Sequence, residues 1–103
     1  MDIRFTWDER KRLSNSSRHG LDFYEAPEVF AGLTFTVEDG RFRYGEQRFL
    51  TLGLLRGVAV SIAHTESDEV IRIISFRRAT RHEEAILYEQ IQNRLEENQN
   101  NGR

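Results

Sequence analysis

The spacing of apolar residues changes several times along the chain, and each change predicts a boundary between strand and helix. Apolar and polar residues alternate over residues 3–7, which predicts a short strand. Asp8 can cap a surface helix that runs to about Arg18, because its carboxylate can accept hydrogen bonds from the free backbone N–H groups of the first turn. Gly20 can end that helix in a left-handed conformation, and Asn15 is also expected to serve turn geometry.

A second short helix is predicted to end at Phe30. Asp22 and Glu25 have the spacing of a capping box, with Asp in place of the usual Ser or Thr. Pro27 fits only the first turn of a helix, because it has no backbone N–H. This helix is therefore either kinked or begins near Ala26.

The period of two that is typical of strands dominates the middle of the chain. It predicts strands over residues 33–37, 49–55, 58–63 and 70–77. Arg56 and Gly57 are expected to join the second and third of these strands in a tight hairpin turn. The polar residues 65–69 predict a further turn before the last strand.

The order of these elements predicts the fold. Helical spacing returns over about residues 80–97, so the chain ends in a helix. Short turns between neighbouring strands predict an α+β domain with a mostly antiparallel sheet of four to five strands. The two N-terminal helices and the C-terminal helix are expected to gather against one face. The 103-residue chain has room for one domain, assigned to residues 1–97, and the polar residues 98–103 are expected to form a disordered tail.

Composition narrows the possible chemistry. The chain has no cysteine, which excludes disulfides, thiolate metal sites and cysteine nucleophiles. His19, His64 and His82 do not have the spacing of metal ligands on one element, and glycine-rich phosphate loops are absent, so we expect neither a metal nor a cofactor. The sequence contains no signal peptide and no long apolar segment, which predicts a cytoplasmic protein without membrane association.

The distribution of charge keeps nucleic acid open as a partner. The net charge is −2, yet residues 40–64 carry four basic and one acidic side chain, a local charge of +3. Fourteen of the fifteen basic residues are Arg, whose planar guanidinium binds phosphate in a bidentate manner and stacks on bases. A GC-rich genome can also produce arginine-rich proteins, so this composition does not decide the partner by itself.

Candidate chemistry centres on charged residues of the strands. Simple alternation over residues 70–77 places Arg72 on one face of the sheet and Arg77 on the other. Arginines among apolar strand residues need an acceptor, so one of the two can pair with Glu46 while the other points into a concave face. Arg48 begins the neighbouring strand directly after Glu46, so all four residues can lie close together. Such a cluster suits RNA cleavage by 2′-hydroxyl attack, in which cations stabilise the developing charge and another group transfers a proton. The same residues can instead form a structural Arg–Glu network that locks the strands together.

Four blocks of residues stand out by their order and spacing. They are Phe5-x-Trp7-Asp8-x-x-Lys11-x-x-x-Asn15-x-x-x-His19-Gly20, then Phe23-x-x-Ala26-x-x-Val29-Phe30, then Gly45-Glu46-x-Arg48 with Gly53, and finally Arg72-Ile73-Ile74-Ser75-x-Arg77-x-Ala79-Thr80 followed by Glu83 or Glu84 and by Tyr88. In order and spacing, these blocks resemble the BrnT-type ribonuclease toxins.

This resemblance implies a toxin of a type II toxin–antitoxin system, related to the RelE-like ribonucleases, that cleaves RNA, slows translation and halts growth. It also implies a ribbon-helix-helix antitoxin as the partner in a hetero-oligomer that represses its own operon, so operator DNA is contacted indirectly through the antitoxin. Two residues depart from the family pattern. Pro27 stands where an ordinary helix former is usual, which puts the shape of the second helix in doubt. Phe76 replaces a small residue and is expected to alter the packing or to narrow an RNA-facing groove.

The predicted site combines the two lines of reasoning. Catalytic roles are expected for Arg48, Arg72, Arg77, Glu46, His19 and Tyr88, and RNA binding for Lys11 and Arg78. The arginines would bind phosphate or stabilise the transition state, while Glu46, His19, Tyr88 or Lys11 would transfer protons. The alternative function is a catalytically inactive binding module that serves as antitoxin partner and co-repressor. A scaffold without any nucleic-acid role is disfavoured by the arginine usage and by the block pattern.

Overall fold

The described residues of the chain, in a computed structural model, are 2–40 and 45–101, with side chains described through residue 98. They form five strands, three α-helices and one 3₁₀ turn in the predicted order. The elements are β1 (Arg4–Trp7), α1 (Glu9–His19), the 3₁₀ turn (Phe23–Glu25), α2 (Ala26–Phe30), β2 (Phe35–Glu38), β3 (Phe49–Leu55), β4 (Val58–Ser67), β5 (Val70–Arg78) and α3 (Arg81–Asn101).

The sheet is mixed, with the strand order β1-β5-β4-β3-β2. The strands from β2 to β5 pair antiparallel with their sequence neighbours, as predicted. The first strand instead lies parallel to the last one, with Phe5 opposite Ile71 and Trp7 opposite Ile73. The prediction of a mostly antiparallel sheet therefore holds only for the strands that follow one another along the chain.

The helices pack on both faces of the sheet, which corrects the expectation that they gather on one. Ala26 and Val29 of α2 join a buried core that includes Val60. Leu87 of α3 packs in a second core with Ala59. Because Ala59 and Val60 are adjacent in one strand, their side chains point to opposite faces. These faces are termed the α2 face and the α3 face.

The predicted second helix is a 3₁₀ turn followed by a helix of five residues. Pro27 is the second residue of α2, where the missing N–H costs nothing, so the interpretation that the helix begins near Ala26 is confirmed. The carboxylate of Asp22 accepts from the backbone N–H of Tyr24 at 3.0 Å. Glu25 does not complete the predicted capping box, because its carboxylate accepts a hydrogen bond from Arg56 at 3.0 Å.

Interactions with neighbouring residues determine where α1 begins and ends, and the ends of β4 and α3 differ from those predicted. The carboxylate of Asp8 accepts from the backbone N–H of Arg10 at 2.8 Å, and Gly20 ends α1 with a φ of 71°, so both predicted caps are confirmed. Strand β4 is longer than predicted and ends at Ser67. Helix α3 continues to Asn101, into the segment that was expected to be a disordered tail, and residues 102 and 103 lie outside the described residues.

A side chain completes the edge of β5 beyond the end of β1. Asn15 accepts a hydrogen bond from the backbone N–H of Phe76 at 3.0 Å and donates to the carbonyl of the same residue at 2.7 Å. It also donates to the carbonyl of Leu21 at 3.1 Å. Its carboxamide thus pairs with β5 as a neighbouring strand would, and joins α1 to the sheet. The expectation that Asn15 serves turn geometry is corrected accordingly.

A β-bulge in β5 decides which side chains share a face. Ala63 pairs with Ser75 while the next residue of β4, His64, pairs with Ile73, so Ile74 has no partner on β4. Arg72, which precedes the bulge, lies opposite Thr65, and Arg77, which follows it, lies opposite Ser61. Those two residues are four apart on β4, so both arginines lie on the α3 face. The prediction that the arginines lie on opposite faces is wrong.

Candidate active site

A glutamate and two arginines meet across three strands on the α3 face. Arg48 directly precedes β3, and its carbonyl accepts from the backbone N–H of Asp39 at 2.8 Å, which continues the ladder between β2 and β3. Oε1 of Glu46 lies 3.5 Å from Nε of Arg48, and Oε2 lies 4.0 Å from Nη1 of Arg72. Thr65 of β4 lies opposite Arg72 and separates the two arginines. The structure thus brings three of the predicted site residues together.

Arg77 lies on the same face, closer to the start of α3. Its guanidinium donates to Oε1 and Oε2 of Glu83 at 2.8 and 2.9 Å. Glu83 also forms a capping box with Thr80: Oε1 accepts from the Thr80 backbone N–H at 2.9 Å, and Oγ1 of Thr80 accepts from the Glu83 backbone N–H at 3.1 Å. Hydrogen bonds from Arg77 lower the pKa of Glu83, against an opposing effect of burial, and Thr80 contributes to the lowering.

Glu46 was the predicted acceptor for one of the two arginines, and Glu83 was not predicted to belong to the site. The spacing Thr80-x-x-Glu83 is a capping-box signal that could have placed this carboxylate at the first turn of α3. Together these five residues are termed the arginine cluster: Glu46, Arg48, Arg72, Arg77 and Glu83.

The sheet surface between the arginines is lined by small side chains. Ala63, Thr65 and Ser75 are all half-buried. The side chain of Arg72 is 48% exposed, and a cavity of about 380 Å³ lies beside it and Glu46. A second cavity of about 230 Å³ is lined by Arg77 and Glu83. A phosphate group can therefore approach the guanidinium groups from this face.

The other predicted site residues are not part of the arginine cluster. Lys11 and His19 belong to α1 and line a cavity of about 160 Å³ at the edge of β5. Arg78 lies opposite Val60, and therefore toward the α2 face, where it lines a cavity of about 440 Å³. Tyr88 lies on α3 with 46% of its surface exposed.

A buried histidine lies on the α2 face of the sheet, opposite the arginine cluster. His64 is fully buried, and its Nε2 is 2.7 Å from Oγ1 of Thr51, which in turn is 2.7 Å from Oγ1 of Thr36. Burial lowers the pKa of His64, although Glu66, 3.7 Å from Nδ1, acts in the other direction. The ring is therefore neutral at pH 7, so its contact with Glu66 is not an ion pair. His64 belongs to the core of the protein.

No grouping of three or more His, Asp or Glu side chains that could hold a metal ion occurs within residues 2–40 and 45–98. In the same part of the chain, no helix is both long and apolar enough to cross a membrane.

One family of known proteins matches the chain over residues 7–83, and it is described as the ribonuclease toxin, BrnT, of type II toxin–antitoxin systems. The chain belongs to the BrnT family. As a member it is a ribonuclease toxin, and its partner is an antitoxin protein. The match includes every residue of the arginine cluster as well as Lys11 and His19, while Tyr88 lies beyond it. No curated protein matches the chain.

Proposed function

We propose that this BrnT-family protein is an endoribonuclease whose arginine cluster cleaves RNA without a metal ion. The observation that carries the proposal is the position of Glu46 between Arg48 and Arg72, at 3.5 and 4.0 Å, on one face of the sheet. Guanidinium groups on both sides of a carboxylate can hold a phosphate while the carboxylate accepts a proton. The arginines then supply the positive charge that stabilises the transition state.

The reaction balances with these groups. Glu46 accepts the proton of a ribose 2′-hydroxyl, the 2′-oxygen forms a bond to the neighbouring phosphorus, and the bond from phosphorus to the 5′-oxygen breaks. The leaving 5′-oxygen takes a proton from water, so the products are a 2′,3′-cyclic phosphate and a 5′-hydroxyl. Arg48 and Arg72 stabilise the added charge on the phosphoryl oxygens. Arg77, oriented by the carboxylate of Glu83, holds the RNA on the same face.

The predicted residues outside the cluster receive smaller roles. His19 and Tyr88 are expected to contribute less to proton transfer, because neither belongs to the arginine cluster. Arg78 lies toward the α2 face, so this arginine is expected to bind RNA where the RNA strand passes around the edge of the sheet. Lys11 is expected to bind the RNA backbone from α1.

The proposed partner is a ribbon-helix-helix antitoxin. In the cytoplasm, the antitoxin neutralises the toxin in a hetero-oligomer that represses the operon, so operator DNA is contacted through the antitoxin. Free toxin cleaves RNA and thereby inhibits translation and growth. Membership in a family of type II toxins supports a protein antitoxin as such. A neighbouring reading frame that encodes a ribbon-helix-helix protein would support the finer assignment.

Cleavage by the purified protein in the presence of EDTA tests the activity. The wild type is expected to convert RNA into fragments that carry 2′,3′-cyclic phosphates, which mass spectrometry detects. Arg72→Ala and Glu46→Gln are each expected to lower kcat/KM by about 10²- to 10³-fold, the usual cost of one group that acts in the transition state. Arg56→Ala is a matched control, because Arg56 also pairs with glutamate, at 3.0 Å from both Glu25 and Glu28, but lies in the turn between β3 and β4. Intact RNA with folded wild-type protein, or equal activity of the Arg72 and Arg56 variants, would refute the proposal.

A catalytically inactive binding module is the second candidate function. The bidentate bond between Arg77 and Glu83 favours it, because this arginine is held by a carboxylate that also caps α3. Induction of the gene distinguishes the two functions. Unimpaired growth, together with tight binding to the product of the neighbouring gene, would identify a co-repressor rather than a ribonuclease.

A further inference from the structure

A second basic surface lies at the edge of the sheet beside the arginine cluster. It consists of Lys11, Ser14, Arg18 and His19 of α1, which line a cavity of about 160 Å³ against Ile74 and Ser75 of β5. These four residues are termed the α1 groove. Lys11, Ser14 and Arg18 are spaced by three and four residues, so they lie along one side of the helix. Their side chains therefore converge on a common cavity.

The basic side chains of the α1 groove have no ion-pair partner in the part of the chain that the structure describes. Across the described residues, no carboxylate forms an ion pair with any of them. Arg12, on another side of the same helix, shows the opposite arrangement: it pairs with Glu9 at 2.6 Å and with Asp22 at 2.9 Å. Arg12 is thus paired with carboxylates, whereas Lys11 and Arg18 face the cavity.

The charge of the helix ends explains only part of this arrangement. Arg18 lies in the last turn of α1, where cations are stabilised by the free carbonyl groups. Lys11 is the third residue of the helix, near the end where a cation is disfavoured. A ligand with negative charge accounts for Lys11 and Arg18 lining the same cavity.

Ser75 connects the α1 groove to the arginine cluster. It lines the groove, and it lies opposite Ala63 on the α3 face, between Arg72 and Arg77 along β5. At about 3.3 Å per residue, the distance along β5 from Arg72 to Arg77 is roughly 13–17 Å. A single strand of RNA that crosses the cluster therefore reaches the groove within a few nucleotides.

We propose that the α1 groove binds a backbone phosphate of single-stranded RNA on one side of the scissile bond. The inference rests on the proposed function, since it takes RNA as the substrate of the arginine cluster. Lys11 and Arg18 supply charge, and the hydroxyl groups of Ser14 and Ser75 can donate hydrogen bonds to phosphate oxygens. Such a contact carries no sequence information, but it fixes the position of the RNA relative to the cluster.

Binding of RNA that cannot be cleaved tests the groove separately from catalysis. A short fluorescent 2′-O-methyl RNA lacks the attacking hydroxyl, so its fluorescence anisotropy reports binding alone. K11A/R18A is expected to raise the Kd about tenfold and to reduce the slope of log Kd against log salt by about 0.7, because the groove holds one phosphate and each phosphate contact on a single strand contributes about 0.7. Ser14→Glu adds a negative charge to the groove without removing a cation, and it is expected to weaken binding in the same direction.

The matched control is R10A/R94A, which removes the same charge from positions that do not line the groove. It is expected to leave the Kd within about twofold of the wild type, and circular dichroism verifies the fold of each variant. An unchanged Kd and salt slope in K11A/R18A, or an equal loss in R10A/R94A, would overturn the proposal. So would unchanged RNA binding together with weaker binding of the antitoxin, which would make the groove a protein-docking surface. Wild-type protein that binds this RNA but cleaves no RNA would refute the proposed function and leave the groove in place.

Discussion

Replacing Asn15 by Ala tests how α1 is held to the sheet. Asn15 is 8% exposed and makes three hydrogen bonds to backbone groups of Phe76 and Leu21, at 2.7 to 3.1 Å. At about 1 kcal/mol each, their loss costs about 3 kcal/mol, and the partners left buried without a bond can only add to this. The better helix propensity of Ala returns about 0.5 kcal/mol. We therefore expect the free energy of unfolding to fall by about 2.5 kcal/mol or more.

Urea unfolding followed by circular dichroism measures this change, with Ser17→Ala as a control on the exposed side of α1. The expected loss corresponds to a fall in Tm of roughly 10–20 °C for a domain of this size. Hydrogen exchange at the Phe76 amide should accelerate in Asn15→Ala, because its acceptor is gone. A loss below about 1 kcal/mol, similar to that of Ser17→Ala, would show that Asn15 does not act as a substitute strand.

Two further predictions concern the core. In Gly53→Ala, the added Cβ would lie 2.6 Å from Cγ1 of Val29. We therefore expect the free energy of unfolding, measured in urea, to fall by about 1–3 kcal/mol. Unchanged stability would contradict the close packing of α2 on β3. Burial lowers the pKa of His64 below its ordinary 6.5, so the unfolded chain binds a proton more readily than the folded protein does. The contribution of His64 to stability should therefore be constant above about pH 6.5 and fall as the pH is lowered through that value. His64→Leu should flatten the dependence of Tm on pH between about 7 and 5. A fall of Tm in His64→Leu equal to that of the wild type over this range would contradict the prediction.

Features that depend on neighbouring residues were predictable from the sequence. Asp8 and Gly20 bound α1 because a carboxylate before a helix and a glycine after it act on the adjacent backbone. The hairpin between β3 and β4 was equally predictable, since Arg56 and Gly57 adopt φ values of 49° and 84° in a two-residue turn. In each case, the determining interaction lies within a few residues of the position it controls.

Features that join distant parts of the chain were not predictable in this way. The parallel pairing of β1 with β5 depends on two strands more than sixty residues apart, and nothing in residues 3–7 specifies the partner. The division of the helices between the two faces has a similar cause. Strands β3 and β4 carry apolar residues on both faces, so each face needs a cover, and α2 and α3 supply one each.

The candidate site shows the same division between local and long-range features. The proximity of Glu46 to Arg48 follows from their spacing, and Arg72 was expected nearby because β3, β4 and β5 are neighbours. Glu83 could have been placed from its capping box with Thr80, but its pairing with Arg77 required the position of α3 relative to β5. The α1 groove also required the contact of α1 with the edge of β5.

The bulge at Ile74 has the largest consequence for function, and it is the feature that strict alternation misses. With regular alternation, Arg77 would share a face with Ile73, which is 1% exposed in the α2-face core, and an unpaired guanidinium would be buried there at high cost. The additional residue instead turns Phe76 into that core, where it is fully buried, and turns Arg77 toward Glu83. Phe76 therefore does not narrow the surface beside the arginine cluster, because it lies on the opposite face. Local propensity does not specify such an irregularity, since its benefit comes from filling the core and pairing the arginine at the same time. The same bulge that makes β5 irregular thus places Arg72 and Arg77 on one face, as the proposed phosphate-binding surface requires.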